Sequence, residues 1–193
     1  MTEEIKLAMA CEIRLPDWLP DFVSHWQGKL DTVEGRMDLA IALSRENVDR
    51  AHGGPFGAVV FDIERRRLLA AGVNLVTDLN LSCAHAEVVA VSLAQQAIGD
   101  WNLGARGSIE LTTSCEPCAM CYGAVPWSGV KRLVCGARKE DAEAAGFDEG
   151  DKPEAWRKSL AARGIEVICD VRRDEAAEVF EHYGKNAGVI YNP

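Results

Sequence analysis

The 193-residue sequence is poor in positive charge: 21 Lys and Arg stand against 30 Asp and Glu, a formal net charge of −9. Proteins that bind nucleic acid draw much of their affinity from basic side chains that neutralise phosphates. The longest basic cluster, Arg65-Arg66-Arg67, falls where a hairpin turn is expected and reads as a solvated loop. A nucleic-acid partner is therefore disfavoured. The sequence also lacks any apolar run near the ~20 residues needed to cross a bilayer, so no membrane partner is expected. Its first residues, MTEEIKLAMACEIRLPDW, show neither the basic region nor the long apolar stretch of an export signal. A cytoplasmic location is the expectation. An even cysteine count is missing too: seven cysteines and no export signal argue against a disulfide framework. Cys11, Cys135 and Cys169 lie among apolar residues and read as small buried hydrophobes. No repeat, low-complexity tract or linker divides the chain. One domain over residues 1–193 is expected, with an N-terminal extension (1–34) and a C-terminal tail (184–193) packing at a homodimer interface.

What is present is an ordinary globular balance of 48 % apolar and 26 % charged residues. After an amphipathic lead-in, Gly35 to His52 has helical spacing, and Gly53-Gly54-Pro55 breaks it. Phe56–Phe61 and Leu68–Val73 read as a β-hairpin, and His85–Ile98 as a buried helix. Strands at Ile109–Thr113, Val130–Cys135 and Ile165–Cys169 follow, alternating with helices from Pro117, at Trp156–Arg163 and at Glu175–Tyr183. A hairpin followed by alternating helices and strands predicts a three-layer α/β/α fold around a mixed sheet of about five strands.

Two short elements carry chemistry. In Pro117-Cys118-Ala119-Met120-Cys121, proline is expected at the first helical position, with both cysteines one turn apart on one helix face. The positive end of the helix dipole favours the thiolates that bind metal. Cys115 extends the run to three cysteines, but no fourth follows at the spacing of an iron–sulfur cluster. His85-Ala86-Glu87 opens another helix and supplies a third ligand, His85. Three protein ligands leave the fourth tetrahedral position of a zinc ion to water, the arrangement of a catalytic site. Zinc lowers the pKa of such a water from ~16 towards ~7. Glu87, two residues from the ligand, is placed to move protons rather than to bind metal.

His-x-Glu followed by Pro-Cys-x-x-Cys is the signature of zinc deaminases. With Gly54-Pro55-Phe56-Gly57-Ala58 and Thr113-Ser114-Cys115-Glu116 added, the stretch from Gly53 to Gly150 resembles the cytidine-deaminase-like superfamily. Asp141-Ala142-Glu143-Ala144-Ala145-Gly146-Phe147-Asp148 is similar to its guanine deaminase branch. The resemblance implies one Zn²⁺ per chain on His85, Cys118 and Cys121, with Glu87 as the proton carrier. It implies a second acid after Phe147, Glu149 in preference to Asp148. It implies a substrate pocket formed by Asn74, whose amide both donates and accepts, by Phe56, by the backbone of Ala86 and by Trp127 as an aromatic lid. Tyr191 would close the site from the C-terminal tail, in its own chain or across a dimer. Two departures from the pattern are Leu81-Ser82-Cys83 ahead of the Ala-His-Ala-Glu motif and Pro126 ahead of Trp127.

The implied reaction is hydrolysis of guanine to xanthine and ammonia. Deamination of adenosine in tRNA shares the zinc site and is opposed by the acidic charge. Another aminated heterocycle (a pterin, cytosine, an aminotriazine) stays open. A zinc-stabilised binding module without turnover would need a fourth protein ligand, for which Cys83 and Cys115 are the nearby candidates.

Overall fold

The apolar run after Pro55 forms β1 (Gly57–Asp62), buried along its whole length and paired antiparallel with β2 (Arg67–Val73). The structure is a computed structural model and describes residues 7–186 and 188–191. Arg66, in the hairpin turn, has a φ of +52°. β3 (Ile109–Cys115) lies antiparallel to the other edge of β1. β4 (Arg132–Ala137) and the short β5 (Glu166–Ile168) continue in parallel. The mixed five-stranded sheet has the order β2-β1-β3-β4-β5.

Helices cover both faces, so the central strands are buried nearly throughout, the polar residues of β3 included. The period of two still sorts their side chains. Ala58, Val60, Leu111, Leu133 and Cys135 pack with α4 (Ala86–Ile98), α5 (Ala119–Ser128) and α7 (Trp156–Ala161). Val59 and Val134 face the opposite layer, built from α2 (Val33–Asp49) and α8 (Arg173–Lys185). Thr32 caps α2 by accepting the Gly35 N–H at 3.0 Å. Arg36 of α2 reaches into the core to Glu110 of β3, a buried pair closed by a second bond of 3.0 Å. Gly72 lets the first turn of α4 lie on the sheet, since a methyl there would stand 2.6 Å from the Ala86 carbonyl oxygen.

Three short helices escaped the reading of the sequence: α1 (Trp18–Ser24), α3 (Val76–Leu79) and α6 (Lys139–Ala144). Leu15, Trp18, Leu19 and Phe22 pack with Leu39 and Leu43, so this part of the N-terminal segment covers its own chain's α2. The tail is placed on its own chain as well: Tyr183 donates to the Val189 carbonyl at 2.7 Å. The outermost residues of both segments lie outside the described residues. Cys11 is exposed rather than buried, because no core element reaches that stretch of the chain.

Candidate active site

The strand directions bring three chain positions to one end of the sheet. Gly57 pairs with Val73 and Ala58 with Thr113. The start of β1 (Phe56), the end of β2 (Asn74) and the end of β3 (Glu116) therefore meet where β3 changes from an antiparallel to a parallel neighbour. Such a switch point, at the carboxyl ends of parallel strands, is where open α/β sheets place ligands.

α4 and α5 both begin at this end. His85 is the N-cap of α4. Cys118, at φ −63° and ψ 175°, is the N-cap of α5, which starts at Ala119. Pro117 therefore precedes the helix instead of occupying its first position, and the two cysteines bracket the first turn from cap to interior. His85 Nδ1 stands 3.5 Å from Cys118 Sγ and 3.6 Å from Cys121 Sγ. All three donor atoms lie within 4.8 Å of one another.

This donor set fits zinc. Bonds of ~2.3 Å to sulfur and ~2.0–2.1 Å to nitrogen at a tetrahedral angle require sulfur–nitrogen separations of about 3.6 Å. Among the described residues no fourth His, Cys, Asp or Glu joins the group. Cys83 is exposed, and the buried Cys115 directs its sulfur to the Arg138 carbonyl at 3.6 Å. A closed structural site has no support here. Hydrogen bonding among the three donors divides their protons unevenly. The Cys118 thiol is pulled down to about 4, chiefly by the hydrogen bond from Cys121 and then by His85. Cys121, giving that bond, is pushed well up. His85 is raised: burial acts against its charge, and the Cys118 bond and the Glu87 charge outweigh burial.

The donors border a cavity of about 330 Å³, at the small end of the ~300–1,000 Å³ range of ligand pockets. Glu87 and Glu149 line it and are each almost fully buried. Burial, with the Cys118 charge second, raises both carboxyls, Glu149 to about 8. A divalent cation at the donors acts in the opposite sense on both. Asp148, also a lining residue, is exposed and accepts the Gly150 N–H at 2.8 Å. Phe56, Phe147 and Tyr191 form an aromatic wall, with centroids 5.1 Å apart for Phe56–Phe147 and 5.4 Å for Phe147–Tyr191.

Asn74 is fully buried at the end of β2. Its Oδ1 accepts from Val76 N–H at 3.2 Å and Gly54 N–H at 3.4 Å, while its Nδ2 has no partner. The Tyr191 hydroxyl is likewise buried without a partner, and burial holds its pKa well up. The two groups meet at Gly54, where a methyl would stand 2.3 Å from that hydroxyl. Buried polar groups are nearly always satisfied, so the unpartnered Tyr191 hydroxyl on the cavity lining marks a place for an acceptor, while Asn74 stands behind Gly54 and off that lining.

Three expected pocket residues do not line the cavity, the buried Asn74 among them. Ala86 is fully buried under the first turn of α4 and is not among the lining residues. Trp127 is 82 % exposed and off the cavity. The buried face of α5 is Cys121, Val125 and Ser128. Trp127, two residues after Val125, is turned to the opposite side, and Pro126 lies within the helix without reversing this. Glu116, Phe147, Val76, Ser82 and Met120 line the cavity without having been singled out. For Glu116 and Phe147 the signal was available, since both sit inside the quoted motifs.

A zinc-type His/Cys/Cys triad beside a buried Glu, at the switch point of a mixed sheet under two helices, defines a zinc-dependent deaminase-type hydrolase. Residues 31–137 match the family described as the cytidine and deoxycytidylate deaminase zinc-binding region, and the chain belongs to that family. A solved guanine deaminase from Nitrosomonas europaea superposes with a TM-score of 0.85 at 44 % identity, covering 94 % of this chain and 99 % of its own. A guanine deaminase from Bacillus subtilis (strain 168) is 41 % identical over 120 residues, 59 % of this chain and 74 % of that protein. A tRNA-specific adenosine deaminase from Rickettsia bellii is 34 % identical over 97 residues, 50 % of this chain and 61 % of that protein.

Proposed function

We propose that the chain hydrolyses the exocyclic amine of a free purine base, converting guanine and water to xanthine and ammonia. The observation that carries the reading is the small cavity at the donors, whose lining combines an aromatic wall, two buried carboxyls and the unpartnered Tyr191 hydroxyl. A flat heterocycle with acceptors on its edge and an amine to lose has that shape and polarity. The similarity to guanine deaminases along most of the chain supports the same substrate.

Zinc on His85, Cys118 and Cys121 would act as a Lewis acid that makes water nucleophilic at neutral pH. The remaining work belongs to the protein. Glu87, buried beside the triad, takes a proton from the attacking water and hands it to a ring nitrogen; it then takes the second proton from the added hydroxyl, which becomes the carbonyl, and gives it to the amine that leaves as ammonia. Glu149 faces the same cavity as a second acid, with Asp148 at its rim. Asn74 and Tyr191 hold the base by its acceptors, and Phe56 and Phe147 flank its apolar surface. Closure by Tyr191 excludes water and strengthens each of these interactions.

The chain works as a homodimer in the cytoplasm on this reading. Trp127 and Met120 of α5, 82 % and 41 % exposed, leave apolar surface uncovered next to the site. Free cysteines suit a reducing compartment. Among the described residues no helix is long and apolar enough to cross a membrane.

The test is ammonia release from a panel of guanine, adenine, cytosine, a pterin, an aminotriazine, their nucleosides where these exist, and adenosine in tRNA. Guanine is expected to lead in kcat/KM. Comparable turnover of tRNA, weakening steeply with salt, would transfer the assignment to tRNA. A single peak of monomer mass in light scattering at micromolar concentration would remove the dimer.

A further inference from the structure

The Lys152 side chain is 2 % exposed, a rare state for a lysine, and nothing in the chemistry above uses it. Its Nζ donates to the Pro117 carbonyl at 2.9 Å and to Glu116 Oε2 at 3.2 Å, and stands 4.4 Å from the Trp156 ring centroid. Pro117 immediately precedes the zinc-type ligand Cys118. The Lys152 backbone closes a turn on Gly150 at 3.0 Å, and Gly150 takes a φ of +67° that favours glycine. Within that turn, the Glu149 carbonyl accepts the Ala119 N–H, the first of α5, at 2.9 Å. The loop carrying Glu149 is thus latched to the start of α5 at two points, one backbone and one through a buried cation.

Burying an ammonium is costly, and replacing a buried ion pair by apolar residues is often neutral for stability. Stability alone therefore gives little reason for a lysine here, whereas fixed geometry does. A carboxyl group that must face Glu87 across a small cavity loses rate steeply when misplaced by ~1 Å.

We propose that Lys152 is a positioning residue: by tying the Glu149 loop to Glu116 and Pro117, it sets Glu149 against the metal-ligand turn. The proposal rests on the reading of Glu149 as a group facing the substrate. It is independent of which base is the substrate.

The experiment uses the full chain with zinc content verified at one per chain. In Lys152→Met, hydrogen exchange at the Ala119 amide is expected to rise at least ~10-fold, while amides of β3 keep their protection. On the best substrate of the panel, kcat is expected to fall ~10–100-fold with KM changed less than ~3-fold. In a Glu149→Gln background the same substitution should change kcat less than ~2-fold, because the two residues act through one geometry. If Lys152→Met does not fold, Glu116→Gln/Lys152→Met, which removes both members of the pair, is compared with the parent protein by the same exchange and kinetic readouts. Unchanged exchange at Ala119, or kcat losses that multiply with Glu149→Gln, would overturn the proposal. If guanine is not deaminated but the exchange and coupling results hold on another base, only the substrate assignment fails.

Discussion

Among single residues, Glu87 has the sharpest role to test. It is 7 % exposed, beside the donor triad, and burial holds its proton more tightly than an ordinary carboxyl does. Glu87→Gln keeps the shape and removes the proton carrier. The expected result is a kcat lowered by ~10²–10⁴ with one zinc still bound per chain, checked by steady-state kinetics and elemental analysis on the same sample. Near-full activity would show that another group moves the protons. The importance of Glu87 was legible without coordinates, because a ligand and a proton carrier two residues apart are held together by local chain geometry. Asn74 was legible as an amide near a strand end that the family resemblance assigns to the substrate. That its Nδ2 is buried and unpartnered follows from Gly54 and Val76 taking its oxygen, contacts made by the tertiary fold.

At the scale of elements, α6 shows how an acidic segment becomes a support for the site. Asp141 accepts the Arg138 N–H at 2.8 Å, satisfying an N-terminal donor of α6, and binds Arg173 of α8 at 2.8 and 2.9 Å. Arg173 and then the Arg138 N–H hold its carboxyl below the ordinary Asp range. A depressed folded pKa contributes stability that is complete above the unfolded value of ~3.9 and is lost as pH falls through the lower folded value. Asp141→Asn is expected to lower the melting temperature by about 2–4 °C at pH 7, with the gap between the two proteins narrowing below about pH 4. Thermal melts of both proteins at matched pH and zinc content check this, and a gap that ignores pH refutes it. The segment after Arg138 reads from the sequence only as charged loop. Its helix is short and depends on partners in α8 that local propensity does not reveal. α5 errs in the other direction: proximity in sequence to the zinc cysteines suggested that Trp127 reaches the substrate, but helix rotation turns it outward.

For the whole molecule, the decisive feature is the return of the chain's end to its own cavity. Gly188 packs on the Tyr183 ring, Tyr183 holds the Val189 carbonyl, and Tyr191 reaches the cavity wall and Gly54. Removing residues 188–193 opens the cavity and deletes one orphaned donor and one aromatic face. KM for guanine is expected to rise about 10-fold or more, the cost of a hydrogen bond and an aromatic contact, while zinc content stays at one per chain. Kinetics unchanged by the truncation would reduce the tail to packing.

The sequence alone determined the two halves of the donor set, the order of the five strands and the acidic character of the chain. Each of these depends on residues close in the chain: a cap and its first turn, a tripeptide, a hairpin, a composition. The tertiary structure decided what depends on distant segments meeting. It brought Tyr191 to the cavity wall and against Gly54, beside the buried Asn74, turned Trp127 away from the cavity, and buried the Lys152 side chain between the turn that carries Cys118 and the loop that carries Glu149. The physical reason is that spacing along a helix or strand is set by the backbone period, while a contact between segments more than 100 residues apart is set by how whole layers pack.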